Sequence, residues 1–298
     1  MRSTRPPPSV LPMREPPPLH QAAESGDLDA TRTLLRGGAA VDSVDVHGRT
    51  AIFLAAERGH AEVVALLLEA GADPNHRTTS GHTPLFVAST ATIVHALVRA
   101  KADVALDVRG TTPLGHAATR FSEEVVRALV ECGADVNARS VGGSTALHMC
   151  ALPRADATDR APIVRCLVEL GANLDAAEAL HGTPLHTAAA RLQTSVVEAL
   201  LELGADPNMR AEAGIAVLHV LAWYAASPDH IEPTIAALVD GGADVNAATT
   251  MPFEFPLGAR VRFAAGSTPL DVAVRRGTAA ARIAELLKQR GARRRAAK

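Results

Sequence analysis

Two short motifs recur in step along this chain, and their spacing constrains the fold more than any other feature. The first opens at Pro17-Pro-Leu-His20, Thr50-Ala-Ile-Phe53, Thr83-Pro-Leu-Phe86 and Thr112-Pro-Leu-Gly115. It continues at Thr145-Ala-Leu-His148, Thr183-Pro-Leu-His186, Ala216-Val-Leu-His219 and Thr268-Pro-Leu-Asp271. Successive starts lie 33, 33, 29, 33, 38, 33 and 52 residues apart. The second motif trails the second to seventh of these, as Gly71-Ala-Asp73, Lys101-Ala-Asp103, Gly133-Ala-Asp135, Gly171-Ala-Asn173, Gly204-Ala-Asp206 and Gly242-Ala-Asp244. Coupled motifs at such a period describe stacked equivalent units. They displace the two globular domains that 298 residues would suggest from length alone.

One unit is readable from its residues. Thr50 is placed to cap a helix start. Several sister units follow the threonine with proline, at the helical position where its missing N–H costs nothing. Ile52, Ala55 and Ala56 then make a short apolar face, with alanines that let a neighbour approach closely. Gly59-His60 ends this helix, and Glu62 opens a second with Val63, Val64, Leu67 and Leu68 at helical spacing. Gly71 suits a left-handed cap, and 73–81 reads as a turn-rich hairpin. A single helix pair cannot cover its own apolar faces, so stability must come from stacking in one dimension.

The period and the Thr-Pro-Leu-His-x-Ala signature resemble the ankyrin repeat over nearly the whole chain, in about eight units. The resemblance implies an all-α solenoid of stacked helix-turn-helix units with β-hairpin fingers. On this reading 1–16 is a disordered proline-rich arm, 17–292 the solenoid, and 293–298 a basic tail. It also implies that His20, His148, His186 and His219 hydrogen-bond between units, and that partners are proteins held against a concave face.

Departures from the period mark candidate binding features, because a solenoid accepts insertions in its loops. The third unit is four residues short, which predicts a clipped first helix. The fifth carries five extra residues, Leu152-Pro-Arg-Ala-Asp156. The seventh has the same excess between Ala222 and Thr234, and its hairpin runs fourteen residues long before Thr268.

That seventh unit holds five of the chain's eight aromatics: Trp223, Tyr224, Phe253, Phe255 and Phe263. By the resemblance, Trp223 and Tyr224 fall on the concave face, where aromatics serve as anchors for a partner. Phe253, Phe255 and Phe263 either form a flap over that partner or fold back on Trp223 as a satellite core. Arg58, Arg120, Arg191 and Arg276 occupy equivalent positions two places after the alanine pair. They form an interrupted ladder able to meet carboxylates or phosphates, with Glu57 and Glu123 near enough to neutralise part of it.

Catalysis and cofactors have no foothold. No two histidines sit together in an HExxH or HxE context, and no zinc-spaced Cys/His cluster, GxSxG frame or phosphate loop occurs, so neither enzyme, metal nor cofactor is expected. Cys132, Cys150 and Cys166 form no CxxC pair, which favours a reducing compartment. The formal charge of −2 gives no global attraction to nucleic acid. A nucleic-acid-associated regulator working through the tail from Arg290 to Lys298 is the alternative function; it requires binding that collapses with salt and with truncation after Gly291. The apolar stretches are too short for a bilayer, and a cytoplasmic monomer is expected, in a host cell or nucleus if the protein is an effector. Only three of 30 basic residues are lysine, the usage of a GC-rich, bacterial-type coding source.

Overall fold

The computed structural model describes residues 17–105, 110–120, 122–152, 159–178, 182–224, 230–254 and 262–294. The proline-rich arm, Phe255, most of the fifth-unit insertion and the last four residues of the basic tail lie outside them. The described chain is a succession of helix pairs. They are α1 (Pro18–Ser25) with α2 (Leu28–Arg36), α3 (Ala51–Arg58) with α4 (Ala61–Glu69), and a single 3-10 turn (Leu85–Val87) with α5 (Ala91–Arg99). Next come α6 (Pro113–Arg120) with α7 (Glu123–Glu131), α8 (Ala146–Cys150) with α9 (Ala161–Glu169), and α10 (Pro184–Ala190) with α11 (Thr194–Glu202). The last two pairs are α12 (Val217–Tyr224) with α13 (Ile231–Asp240), and α14 (Pro269–Arg275) with α15 (Ala281–Gln289). First helices pack on first helices and second on second, so each unit has an inner and an outer helix. In the shortened third unit the inner helix is reduced to that one 3-10 turn, with Leu85, Phe86 and Val87 still buried.

Packing explains the thin aromatic content. The core runs as one cluster from Leu19 to Leu287, filled by alanine, leucine and valine. Ala55, Ala56, Ala188 and Ala189 are fully covered, which lets inner helices approach where larger side chains would hold them apart. Outer-helix residues such as Val64, Leu67, Val197 and Leu200 close the other side.

Polar stitches tie each unit to the next. The imidazole Nε2 atoms of His20, His148, His186 and His219 bond carbonyls of Arg49, Gly182, Ile215 and Ser267, at 2.9, 3.1, 3.3 and 2.9 Å. A second series went unread in the sequence. Asn75, Asn137, Asn208 and Asn246 each donate from the side-chain amide to the helix-ending residue of the following unit (Lys101, Gly171, Gly242 and Gly291). Each also accepts from a backbone N–H two residues further on, at 2.7–2.8 Å. The signal was present as Asn two places after the aspartate of four Gly-Ala-Asp motifs.

One local expectation is corrected. Thr50 sits at the N-cap, but its hydroxyl makes no cap bond and is left buried without a partner. In the fifth and sixth units the equivalent Thr145 and Thr183 hydroxyls meet a histidine Nδ1, at 3.0 and 2.9 Å, and Phe53 offers Thr50 no such atom. The hairpin fingers are short and rich in turns. Single backbone bonds close them, such as Thr78 N–H to His82 O, Ser140 to Ser144 and Ala211 to Ile215, at 2.8–2.9 Å. Paired strands occur among the described residues only in the seventh unit, where β1 (Phe253–Glu254) runs antiparallel to β2 (Arg262–Phe263).

Fingers touch where glycine permits it. The carbonyl of Ala213 accepts from Thr250 N–H at 2.9 Å, and that of His47 from Thr79 N–H at 3.0 Å. Gly214 and Gly48 follow these carbonyls with φ of +75° and +72°. A Cβ on Gly214 would stand 2.7 Å from the Thr250 nitrogen. Gly214→Ala is therefore expected to destabilise the sixth-to-seventh junction by about 1–3 kcal/mol. Accelerated amide exchange at Thr250 and a lower urea midpoint would show it; a midpoint equal to wild type would refute it.

Candidate functional site

The inner-helix face of the last three units gathers the candidate residues. Trp223 and Tyr224 form the final turn of α12, both half-buried. The described residues of the insertion that follows α13, β1 and β2, lie against Trp223 and His219. Phe253 and Phe263 pair across β1 and β2 and stack at 4.9 Å with 14° between planes. Phe263 meets the Trp223 ring edge-on at 5.8 Å, and Phe253 meets His219 edge-on at 6.4 Å. With exposures of 7% and 2%, Phe253 and Phe263 are buried and continuous with the main core. The Arg275 guanidinium caps this core, 5.9 Å from the Phe263 centroid. Burial raises the Tyr224 phenol above its ordinary pKa, with Arg191 opposing.

The arginine ladder is uneven. Arg58 pairs with Glu24 of the preceding unit, and this bond raises its pKa. Arg276 is half-buried, reaches the Ala222 carbonyl at 3.4 Å, and is shifted down by burial. Arg120 and Arg191 are exposed and make no ion pair with any described residue. Two of the four positions therefore present an uncommitted cation, and those two flank the fifth unit.

A cavity of about 130 Å³ lies between α8, α10 and α12. Met149, Leu152, Ala190, Val220 and Tyr224 form its apolar walls, with Ser144, His148, Glu178, His186, Thr187 and Arg191 as its polar lining. Glu178 comes from the finger ahead of α10, is 8% exposed, and accepts from the Ser144 hydroxyl. Nothing in the period of the sequence pointed to this cavity.

The tail arginines are drawn onto the last unit. Arg290 pairs with Asp240 at 2.8 Å, and Arg293 is held through its backbone by Asn246 and Thr268. Arg294 approaches Asp271 at 3.4 Å. Among the thiols, burial pushes Cys150 up to about 12, and Cys132 lies 3.3 Å from His95 Nδ1 with its pKa raised by burial. Both shifts disfavour the thiolate. No group of three or more His, Cys, Asp or Glu is arranged to hold a metal among the described residues. No described helix is long and apolar enough to cross a membrane.

The comparison with known families decides the assignment. A model of ankyrin repeats matches in three copies, over residues 9–78, 71–140 and 138–211. The chain belongs to the ankyrin-repeat family. Among curated ankyrin-containing and related proteins, it is 35% identical over 165 residues to the B-cell lymphoma 3 protein homolog of Mus musculus, covering 52% of this chain and 36% of that one. It is also 35% identical over 156 residues to the ankyrin repeat and SOCS box protein 16 of Homo sapiens, covering 51% and 33%. The match thus spans about a third of the length of either relative. The crystal structure of the human ASB11 ankyrin repeat domain superposes with a TM-score of 0.66 at 29% identity, covering 77% of this chain and 99% of that domain. Ankyrin repeats are protein-interaction modules.

Proposed function

We propose that the inner-helix face from the sixth to the eighth repeat is a groove that binds one protein partner. Binding without catalysis then scaffolds, recruits or inhibits that partner. One observation carries this reading: Trp223 and Tyr224 stay half-exposed while the buried Phe263 meets the Trp223 ring edge-on. An aromatic held by a buried ring is preorganised, which lowers the ordering cost of association. Large aromatics in such a setting are favoured anchors, and Arg191 beside them supplies a cation for selecting charge.

A cross-linked pull-down from native lysate tests this, comparing wild type with Trp223→Ala/Tyr224→Ala by quantitative mass spectrometry. A protein captured by wild type and lost with the double variant is the expected result, with equal helical circular dichroism for both. Identical capture profiles from two equally folded proteins would move the interface off the seventh repeat.

A further inference from the structure

The cavity between the fifth, sixth and seventh inner helices carries an inference beyond the aromatic edge. We propose that it receives an uncharged carboxamide side chain, glutamine or asparagine, from the protein partner. This rests on the groove reading above and names the chemistry the groove selects.

Shape comes first. Ala190 occupies the inner-helix position where the fifth repeat carries Leu152 and the seventh carries Trp223. The ≈ 130 Å³ space opens beside this small residue, with Leu152 of the fifth repeat and Val220 and Tyr224 of the seventh among its walls. A cavity of roughly 150 Å³ accommodates a six-atom ring, so this one takes about five heavy atoms. That is the size of a glutamine side chain. Met149, Leu152 and Val220 suit its methylenes.

Charge then selects the end group. The Glu178 carboxylate lies in the wall, buried to 8% exposure, and the Arg191 guanidinium stands at the exposed mouth without an ion pair. A lysine entering here gains from Glu178 and is opposed by Arg191; a carboxylate meets the reverse. A carboxamide is served by both, since its NH₂ donates to a carboxylate and its oxygen accepts from a guanidinium. Thr187 adds a third polar group. It lines the cavity at 8% exposure, and its hydroxyl is buried with no hydrogen bond. In a helix threonine has two favoured χ1 wells, so one rotation exchanges its hydroxyl and methyl. A buried hydroxyl lacking a partner is destabilising, and an entering amide removes that penalty.

The experiment is selection of a phage-displayed random peptide library against the immobilised full chain. Wild type is expected to enrich peptides with glutamine or asparagine at one fixed position. Exchanging that residue for glutamate, lysine or alanine should weaken binding about tenfold or more, the loss of a buried polar contact. Ala190→Leu, which fills the cavity, should abolish the preference. Thr187→Val, isosteric but without the hydroxyl, should weaken the same peptides and keeps the test valid if Ala190→Leu misfolds. Peptides that depend on Trp223 and Tyr224 yet show no carboxamide position, or bind Ala190→Leu and Thr187→Val as well as wild type, overturn the pocket and leave the groove. A library yielding no binder overturns both.

Discussion

Phe263→Ala is expected to lower the stability of the seventh and eighth repeats by about 3–5 kcal/mol, the usual range for removing a buried phenylalanine ring. The ring is 2% exposed, stacks on Phe253 at 4.9 Å and supports Trp223 at 5.8 Å. Its loss leaves a cavity that Arg275, 5.9 Å above it, can fill only by desolvating a charge. In a solenoid each repeat is stabilised by its neighbours alone, so the damage should stay local. Amide exchange should accelerate in α12 to α15 while α3 to α7 keep wild-type protection. Trp223 is the single tryptophan, so its emission should shift to the red at a lower urea concentration than the loss of total helix. A wild-type fluorescence transition would mean that β1 and β2 lie on the surface without supporting it.

Acid should unfold the same half of the molecule. His186 and His219 are both lowered to about 4. Burial is the main cause, and the Arg210 charge adds to it. The hydrogen bonds explain why the neutral ring is required. Nδ1 of His219 accepts from Ala216 N–H at 3.1 Å, and Nδ1 of His186 from Thr183 N–H at 3.3 Å, so neither nitrogen has room for a proton. Nε2–H donates across the repeat junction to Ser267 and Ile215. The unfolded chain takes up protons near pH 6.5, whereas the folded chain resists until about 4. Stability from these groups is complete above pH 6.5 and is lost as pH falls toward 4, on the order of 3 kcal/mol per histidine. Urea midpoints should hold level from pH 8 to 7 and drop steeply by pH 5. His186→Asn/His219→Asn should start lower at neutral pH and show a flatter decline. If wild type kept the same midpoint at pH 5 as at pH 7.5, the buried neutral imidazoles could not be the groups responsible.

Much of this was readable from residue order, because repeat identity is a short-range property. Thr-Pro-Leu-His sets a helix start, Gly-Ala-Asp sets the end of the next helix, and the distance between successive starts counts the units. Even the clipped third repeat followed from a missing four residues, and it is a 3-10 turn at Leu85–Val87. The inter-repeat histidines followed from the family resemblance, and the hydrogen bonds of His20, His148, His186 and His219 agree with it.

The site was legible only as a list of equivalent positions. Arg58 and Arg191 look alike in register, yet one meets Glu24 across a repeat junction and the other pairs with no carboxylate among the described residues. The alternatives for Phe253 and Phe263 turned on where a long insertion lands, which no local pattern encodes. The cavity beside Arg191 needed three repeats at once: Ala190 lines it together with Met149 and Leu152 of the fifth repeat and Val220 and Tyr224 of the seventh. Sequence alone determined the helix pairs, whose signals lie within one period, while the family resemblance supplied the histidine stitches between them. Tertiary structure decided which side chains pair, which rings are buried and where a pocket opens, because burial and charge pairing depend on what the neighbouring repeat brings to the same place.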